Sequence, residues 1–327
     1  MKIGVIFTGG TIGSQNSEAG IAPTPKASKM LLDAYAARTG DTYEFPTAEP
    51  YSILSEQLTF SHIGVLADCI KENMQEWDAV IVTHGTDSLQ YTGAALGYIF
   101  GLSSKPVVLV SANYPLDDPR SNGLDNFCAA VSFLRTVSGV TGVFVAYRNR
   151  GEDTRIYRAT RLLAHLALDD LVYSKDGTVA LVTEQGEVLL LDDYGEQPDG
   201  QAVMSPEALV ATEGRILRLF VYPGMRCPDL EGVAAVLVES YHSGTAPTKA
   251  LPLRMLAKKA KEAGIPVILV GVPAGGTAYE TGNAYQSLGI LCAHPIAPIA
   301  AYLKLSLILA NGRDPLHALS LPLGGDL

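Results

Sequence analysis

Short runs of β-branched and aliphatic residues, each followed by a stretch of helical composition, set the strongest limit on how this chain can fold. Ile3–Phe7, Ala79–Thr83, Val107–Ser111, Gly142–Ala146, Ala234–Glu239 and Pro266–Gly271 are continuously rather than alternately apolar. Between many of them lie helical stretches such as Ser61–Trp77, Ser88–Phe100, Leu124–Ser138 and Leu251–Ala263. A strand with no polar face must be covered on both sides, so the pattern predicts an α/β protein with mainly parallel sheets flanked by helices. Such sheets bind ligands at the carboxyl ends of their strands. The first three strands run into Thr8–Ser14, His84–Ser88 and Ala112–Asn122, so three polar loops are expected to gather at one edge.

At 327 residues the chain is long enough for two domains. The composition shifts after Tyr173. Lys175–Leu191, with its Asp176-Gly177 turn signal, reads as a β-hairpin. Residues 191–213, rich in Asp, Glu, Gly, Gln and Pro, read as a linker. The expected layout is a larger N-terminal catalytic domain over 1–190, with the parallel sheet and the hairpin, and a smaller C-terminal α/β domain with a parallel sheet over 214–327. The basic run Arg155, Arg158 and Arg161 has the spacing of a solvated helix face.

A formal net charge of -10 argues against nucleic acid or an anionic membrane as partner, since both reward clustered Lys and Arg. Cys69, Cys128, Cys227 and Cys292 are far apart and form no C-x-x-C, so they read as reduced thiols. The six histidines show no metal spacing, and neither a metal nor a cofactor is implied. The first strand begins almost at once, with no charged stretch and cleavage site before it, and no apolar run is long enough to span a bilayer; the reading is cytoplasmic.

The loop Thr8-Gly9-Gly10-Thr11-Ile12-Gly13-Ser14 sets a hydroxyl among glycines, which let backbone N–H groups approach a ligand. A hydroxyl so placed suits attack on a carbonyl, provided something removes its proton. Val82-Thr83-His84-Gly85-Thr86-Asp87-Ser88 adds a second threonine and a carboxylate at a neighbouring strand end. Taken alone it is also a well-capped strand–helix joint. Nucleotide binding is the competing reading of the first loop, but Gly9, Gly10 and Gly13 do not make G-x-G-x-x-G, and no G-x-x-x-x-G-K-[ST] occurs. His84 beside a threonine invites a nucleophile–base pairing; a structural role in the loop is the favoured reading.

Thr8-Gly9-Gly10-Thr11-Ile12-Gly13 and His84-Gly85-Thr86-Asp87-Ser88 resemble the two signatures of the bacterial-type asparaginases, the asparaginase–glutaminase family. The resemblance continues through Pro115–Gly123, Tyr222-Pro223-Gly224 and Tyr241-His242-Ser243-Gly244-Thr245, in order, and Ser17-Glu18-Ala19-Gly20 is nearer the cytoplasmic type I branch. It implies an amidohydrolase that converts L-asparagine to L-aspartate and ammonia. Thr11 matches the nucleophile, and Thr86 and Asp87 match the second threonine and its aspartate. Ser55 and Glu56 match residues that hold the ends of the amino acid, with Gly10, Gly85 and Ala112 lining the substrate. A homodimer or homotetramer is implied, in which a neighbouring subunit contributes Ser243, Thr245 or Glu280.

Two departures stand out. No lysine occurs from Pro106 to Ser174, where the family has one beside the second threonine; the alignment puts Arg158 there, and a guanidinium cannot act as a neutral base. The lid tyrosine position is occupied by Ile21, and Tyr35 farther on is expected to pack on the helix Ser28–Arg38. These departures keep open an amino-acid-binding or sensing protein with impaired turnover, or a glutaminase-type preference. An amidase acting on aminoacylated tRNA is disfavoured by the acidic balance. Asn122 replaces an aspartate common in the third segment, a milder change.

Overall fold

The computed structural model describes residues 1–17, 20–101, 103, 105–139, 141–176, 178–191, 205–293, 295–310, 312 and 314–327. The chain divides into two compact units, Met1–Pro206 with Leu323–Gly325, and Glu207–Pro322 with Asp326–Leu327. Most of the expected linker, residues 192–204, lies outside the described residues, as do Glu18, Ala19 and Gly177 of the stretches singled out above.

The first unit contains strands β1 (Ile3–Phe7), β2 (Ser14–Ser17), β3 (Gly20–Pro23), β4 (Thr47–Ala48), β5 (Ala79–Thr83), β6 (Val107–Val110), β7 (Val143–Arg148), β8 (Thr154–Arg158), β9 (Ala180–Val182) and β10 (Val188–Leu190). Its helices are α1 (Pro25–Thr39), α2 (Phe60–Asn73), α3 (Leu89–Phe100) and α4 (Gly123–Thr136). Eight strands form one sheet in the order β10-β9-β8-β7-β6-β5-β1-β4. From β4 to β7 the pairing is parallel; β8, β9 and β10 follow antiparallel. The central parallel strands β1, β5 and β6 are buried along their whole length, as the two-sided covering requires.

Ile81, Val108, Val110, Phe144 and Ala146 point into one core together with Leu31, Phe127 and Phe133 from α1 and α4. Local signals set the helix ends. The Thr24 side chain accepts from Ala27 N–H, Pro25 opens α1, and Gly40 closes it in the left-handed region.

The second unit carries α5 (Pro206–Thr212), β11 (Ile216–Phe220), β12 (Ala235–Glu239), α6 (Leu251–Glu262), β13 (Val267–Val270), α7 (Gly282–Leu288), β14 (Ile290–Cys292), α8 (Pro298–Ala310) and α9 (Pro315–Ser320). Its four-stranded sheet, β11-β12-β13-β14, is parallel throughout. Lys304 on α8 and Asp326 form an ion pair of 2.8 Å with both side chains fully buried.

Two expectations need correction. Arg155–Arg158 is not a helix face: it lies in β8, paired antiparallel with β7. Residues 206–212, expected in the linker, form α5, because Leu209 and Thr212 find a buried site. The expected hairpin of 175–191 is β9 and β10, paired antiparallel.

Candidate active site

Neighbouring strands β6, β5 and β1 end at the same level, since Phe7 pairs with Thr83 and Thr83 with Val110. Their loops therefore meet, and hydroxyls stitch the strand ends together. Thr8 Oγ1 donates to the Thr83 carbonyl at 2.6 Å, and Ser111 Oγ donates to the His84 carbonyl at 2.7 Å. Ser14 Oγ turns back onto the Gly10 carbonyl at 2.6 Å.

The first two loops touch through glycines. Gly10 has φ 69° and ψ -178°, a combination that only glycine adopts readily. A Cβ on Gly10 would sit 2.3 Å from Gly85 N, and one on Gly85 would sit 2.3 Å from Ser55 Oγ. Thr11 follows Gly10 and Thr86 follows Gly85, so the two threonine turns lie side by side. Ser55 Oγ donates to Asp87 Oδ2 at 3.1 Å, and Ser88 Oγ donates to the Ser55 carbonyl at 2.7 Å. Ser88 is thus the N-terminal cap residue of α3 by position, while its hydroxyl serves the Ser55 turn.

Thr11 and Thr86 are half-buried and Asp87 is exposed, which leaves their polar atoms within reach of a solute. Glu56 is exposed in the short turn Ser55–Gln57. The Gly10 N–H is already donated to the Ile53 carbonyl at 2.9 Å. Gly10 therefore contributes close backbone approach rather than a free donor.

The third loop closes on the first through Gly123, where a Cβ would come 2.9 Å from Ala112 Cβ and 3.3 Å from Ile12 Cγ1. Asn122 is needed as an amide: its Oδ1 accepts from Asn113 N–H at 3.0 Å while its Nδ2 donates to the Arg148 carbonyl at 2.9 Å. An ionised aspartate has no donor for the second bond.

His84 is a structural part of this edge. It is 2 % exposed, and its Nδ1 lies 2.8 Å from the Gly85 carbonyl, so that nitrogen carries the hydrogen. Thr92 Oγ1 then donates to Nε2 at 2.9 Å. Burial pushes its pKa down to about 4, against the opposing pull of the Gly85 carbonyl. The unfolded chain therefore binds a proton between pH 6.5 and 4 that the folded chain refuses, and stability falls as pH falls through that window. Urea denaturation followed against pH is expected to show a loss of roughly 3 kcal/mol across it. In His84→Gln that part of the slope disappears, whereas an unchanged slope would assign it to other groups.

Arg158 is not brought to this edge. β8 starts at Thr154, opposite Arg148, and runs back down the sheet, so Arg158 pairs with Phe144, two residues below the level of Thr83 and Val110, about 7 Å down the sheet. Its guanidinium is buried, donates to the Thr141 carbonyl at 2.9 Å and lies over the Phe144 ring. An antiparallel return strand, not a misjudged contact, removes it from the site.

Ile21 lies on β3, opposite Asn16 in the hairpin that leaves the Thr11 turn. Tyr35 stays in the core, edge-on to Phe45 and Phe127, and its hydroxyl donates to Asp41 at 2.8 Å. In the second unit, Thr245 is half-buried with its carbonyl accepting from Tyr241 N–H, and Glu280 is exposed just before α7. Among the described residues no group of three or more His, Cys, Asp or Glu is placed to hold a metal ion, and no helix is long and apolar enough to cross a membrane.

One residue near the site is not signalled by any motif. His165, in the loop after β8, packs its ring edge-on against Tyr147 at the carboxyl end of β7, 6.5 Å between centroids. The only hint in the sequence is a lone histidine in the lysine-free stretch 106–174.

The family model "Asparaginase, N-terminal" matches residues 2–170. An L-asparaginase of Thermococcus kodakarensis is 25% identical over 96% of this chain and 94% of its own length. The solved thermostable L-asparaginase from that organism superposes with a TM-score of 0.81, covering 100% of this chain and 99% of that one. A glutamyl-tRNA(Gln) amidotransferase component of Pyrococcus horikoshii is 26% identical over 95% of this chain and 72% of its own length. Fold, edge and matches together define an amidohydrolase. The chain belongs to the asparaginase family.

Proposed function

We propose that this protein hydrolyses the side-chain amide of L-asparagine to L-aspartate and ammonia, with Thr11 as nucleophile. The observation that supports the reading is the glycine-to-glycine contact of the two turns, which sets the turn carrying Thr11 beside the turn carrying Thr86 and Asp87. Thr11 Oγ1 forms a bond to the amide carbon as its proton is taken up. The amide nitrogen then receives a proton, the C–N bond breaks and ammonia leaves. Water hydrolyses the resulting threonine ester. Asp87, steadied by Ser55, and exposed Glu56 are suited to a cationic α-amino group, and hydroxyls with backbone N–H groups to the α-carboxylate. Gly10, Gly85 and Ala112 give the substrate its space. A second copy supplying Thr245 or Glu280, in a homodimer or homotetramer, would complete the pocket.

The test is ammonia release from L-asparagine and L-glutamine, alongside a thermal-shift titration with L-aspartate. Release from asparagine above a Thr11→Ala background is expected, with aspartate raising the melting temperature. Stabilisation by aspartate with no release from either amide would replace the enzyme reading with an amino-acid sensor. The relative named as part of an amidotransferase favours one further reading, an amidase feeding ammonia to a partner. It would require release that rises when that partner is added.

A further inference from the structure

A threonine nucleophile needs a neutral base, and Arg158 is both turned away from the site, onto the Thr141 carbonyl before β7, and permanently charged. His165 stands where such a base is useful. Tyr147, against which it packs, is one residue beyond the level of Thr83 and Val110, at the carboxyl edge. Tyr147 alternates with Phe144 and Ala146 and so faces the side of the sheet away from their core, and it makes no part of that cluster. The chain is held there from both sides. Leu163 N–H donates to the Tyr173 carbonyl at 2.9 Å, and the Tyr147 hydroxyl donates to the Asp170 carbonyl at 3.0 Å. His165 Nε2 is buried and has no hydrogen-bond partner within the described structure. A buried polar atom left unsatisfied is costly in a purely structural residue.

Resting on the amidohydrolase reading above, we propose that His165 is the proton acceptor of this site. When the Thr86 hydroxyl turns onto it as substrate binds, its neutral Nε2 takes the proton released as Thr11 forms the ester bond and returns it to the leaving nitrogen as the C–N bond breaks. Acting through Thr86, it is a positioning and proton-holding residue rather than one that touches the substrate. Its charged neighbours are Asp87 at the start of α3 and Asp169 on its own loop, with the Tyr147 phenol from β7. Burial holds the imidazole below its ordinary pKa, and the two carboxylates oppose that shift. The neutral form therefore prevails at neutral pH. Because the base must be neutral, activity is lost as pH falls through that pKa.

The experiment is a pH–rate profile of asparagine hydrolysis for the wild type, His165→Gln and His165→Lys, with KM and kcat separated. His165→Gln is expected to lower kcat on the order of 10²-fold or more with little change in KM, and to flatten the acid limb. His165→Lys is expected to recover activity with that limb displaced to higher pH, a shift a structural role would not produce. Superimposable wild-type and His165→Gln profiles would overturn the proposal while leaving the amidohydrolase reading standing. A wild type that releases no ammonia overturns both. Should the variants fail to fold, histidine NMR titration of the wild type and Asp87→Asn decides: the His165 pKa falls in the variant, and an unmoved pKa removes His165 from the site.

Discussion

Thr11→Ala is expected to lower asparagine hydrolysis by on the order of 10⁴-fold or more while L-aspartate still raises the melting temperature. Among the described residues the hydroxyl contributes no hydrogen bond that the loop depends on: the turn is closed by Gly13 N–H to the Gly10 carbonyl and by Ser14 Oγ to that same oxygen. Removing the oxygen therefore deletes chemistry and leaves the frame. Retained binding with lost turnover marks a nucleophile. A fall in both would instead mark Thr11 as part of the amino-acid pocket. Turnover within about tenfold of wild type would move the nucleophile to another group, with Thr86 the first to examine.

Gly10→Ala is expected to abolish both turnover and aspartate binding and to lower the melting temperature. Two independent costs fall on one methyl group. The backbone sits in a region closed to side-chain-bearing residues, which costs on the order of 1–3 kcal/mol. The new Cβ would also lie 2.3 Å from Gly85 N and 2.5 Å from Gly85 Cα, atoms of a backbone that cannot rotate away. Relief requires the two turns to separate, and separation removes Thr11 from Thr86. Gly13→Ala is the internal control. Nothing among the described residues lies within 4 Å of its added methyl, and its backbone is helical, so stability and rate should change little. Equal behaviour of the two variants in calorimetry and ammonia release would mean that the contact between the turns does not carry the site.

Much of this edge is legible in the order of residues. β1 and β5 occupy the expected ranges, and the apolar runs Val107–Ser111, Ala234–Glu239 and Pro266–Gly271 are strands to within a residue at either end. Continuous hydrophobicity reports two-sided burial directly, and loops after parallel strands must share an edge. Thr11, Thr86, Asp87 and Ser55 belong to short motifs whose spacing is local. Arg158 differs from its expected place for another reason. The arginines around it recur at helical intervals, but pairing with β7 outweighs that weak periodicity, and the direction of β8 is a tertiary fact. His165 is silent in the sequence because the chain between the end of β8 and this histidine carries nothing that announces a way back to the edge.

The amino-acid order by itself therefore determined the parallel architecture and the identity of the hydroxyl and carboxylate groups, because burial pattern and turn chemistry are written in neighbouring residues. Only the tertiary structure decided where the basic side chains lie, Arg158 turned away from that edge and His165 against Tyr147 at the end of β7. That depends on strand direction and on the path of the loop after β8, and the buried, unpartnered imidazole nitrogen of His165 is its consequence, since burial arises when distant segments meet.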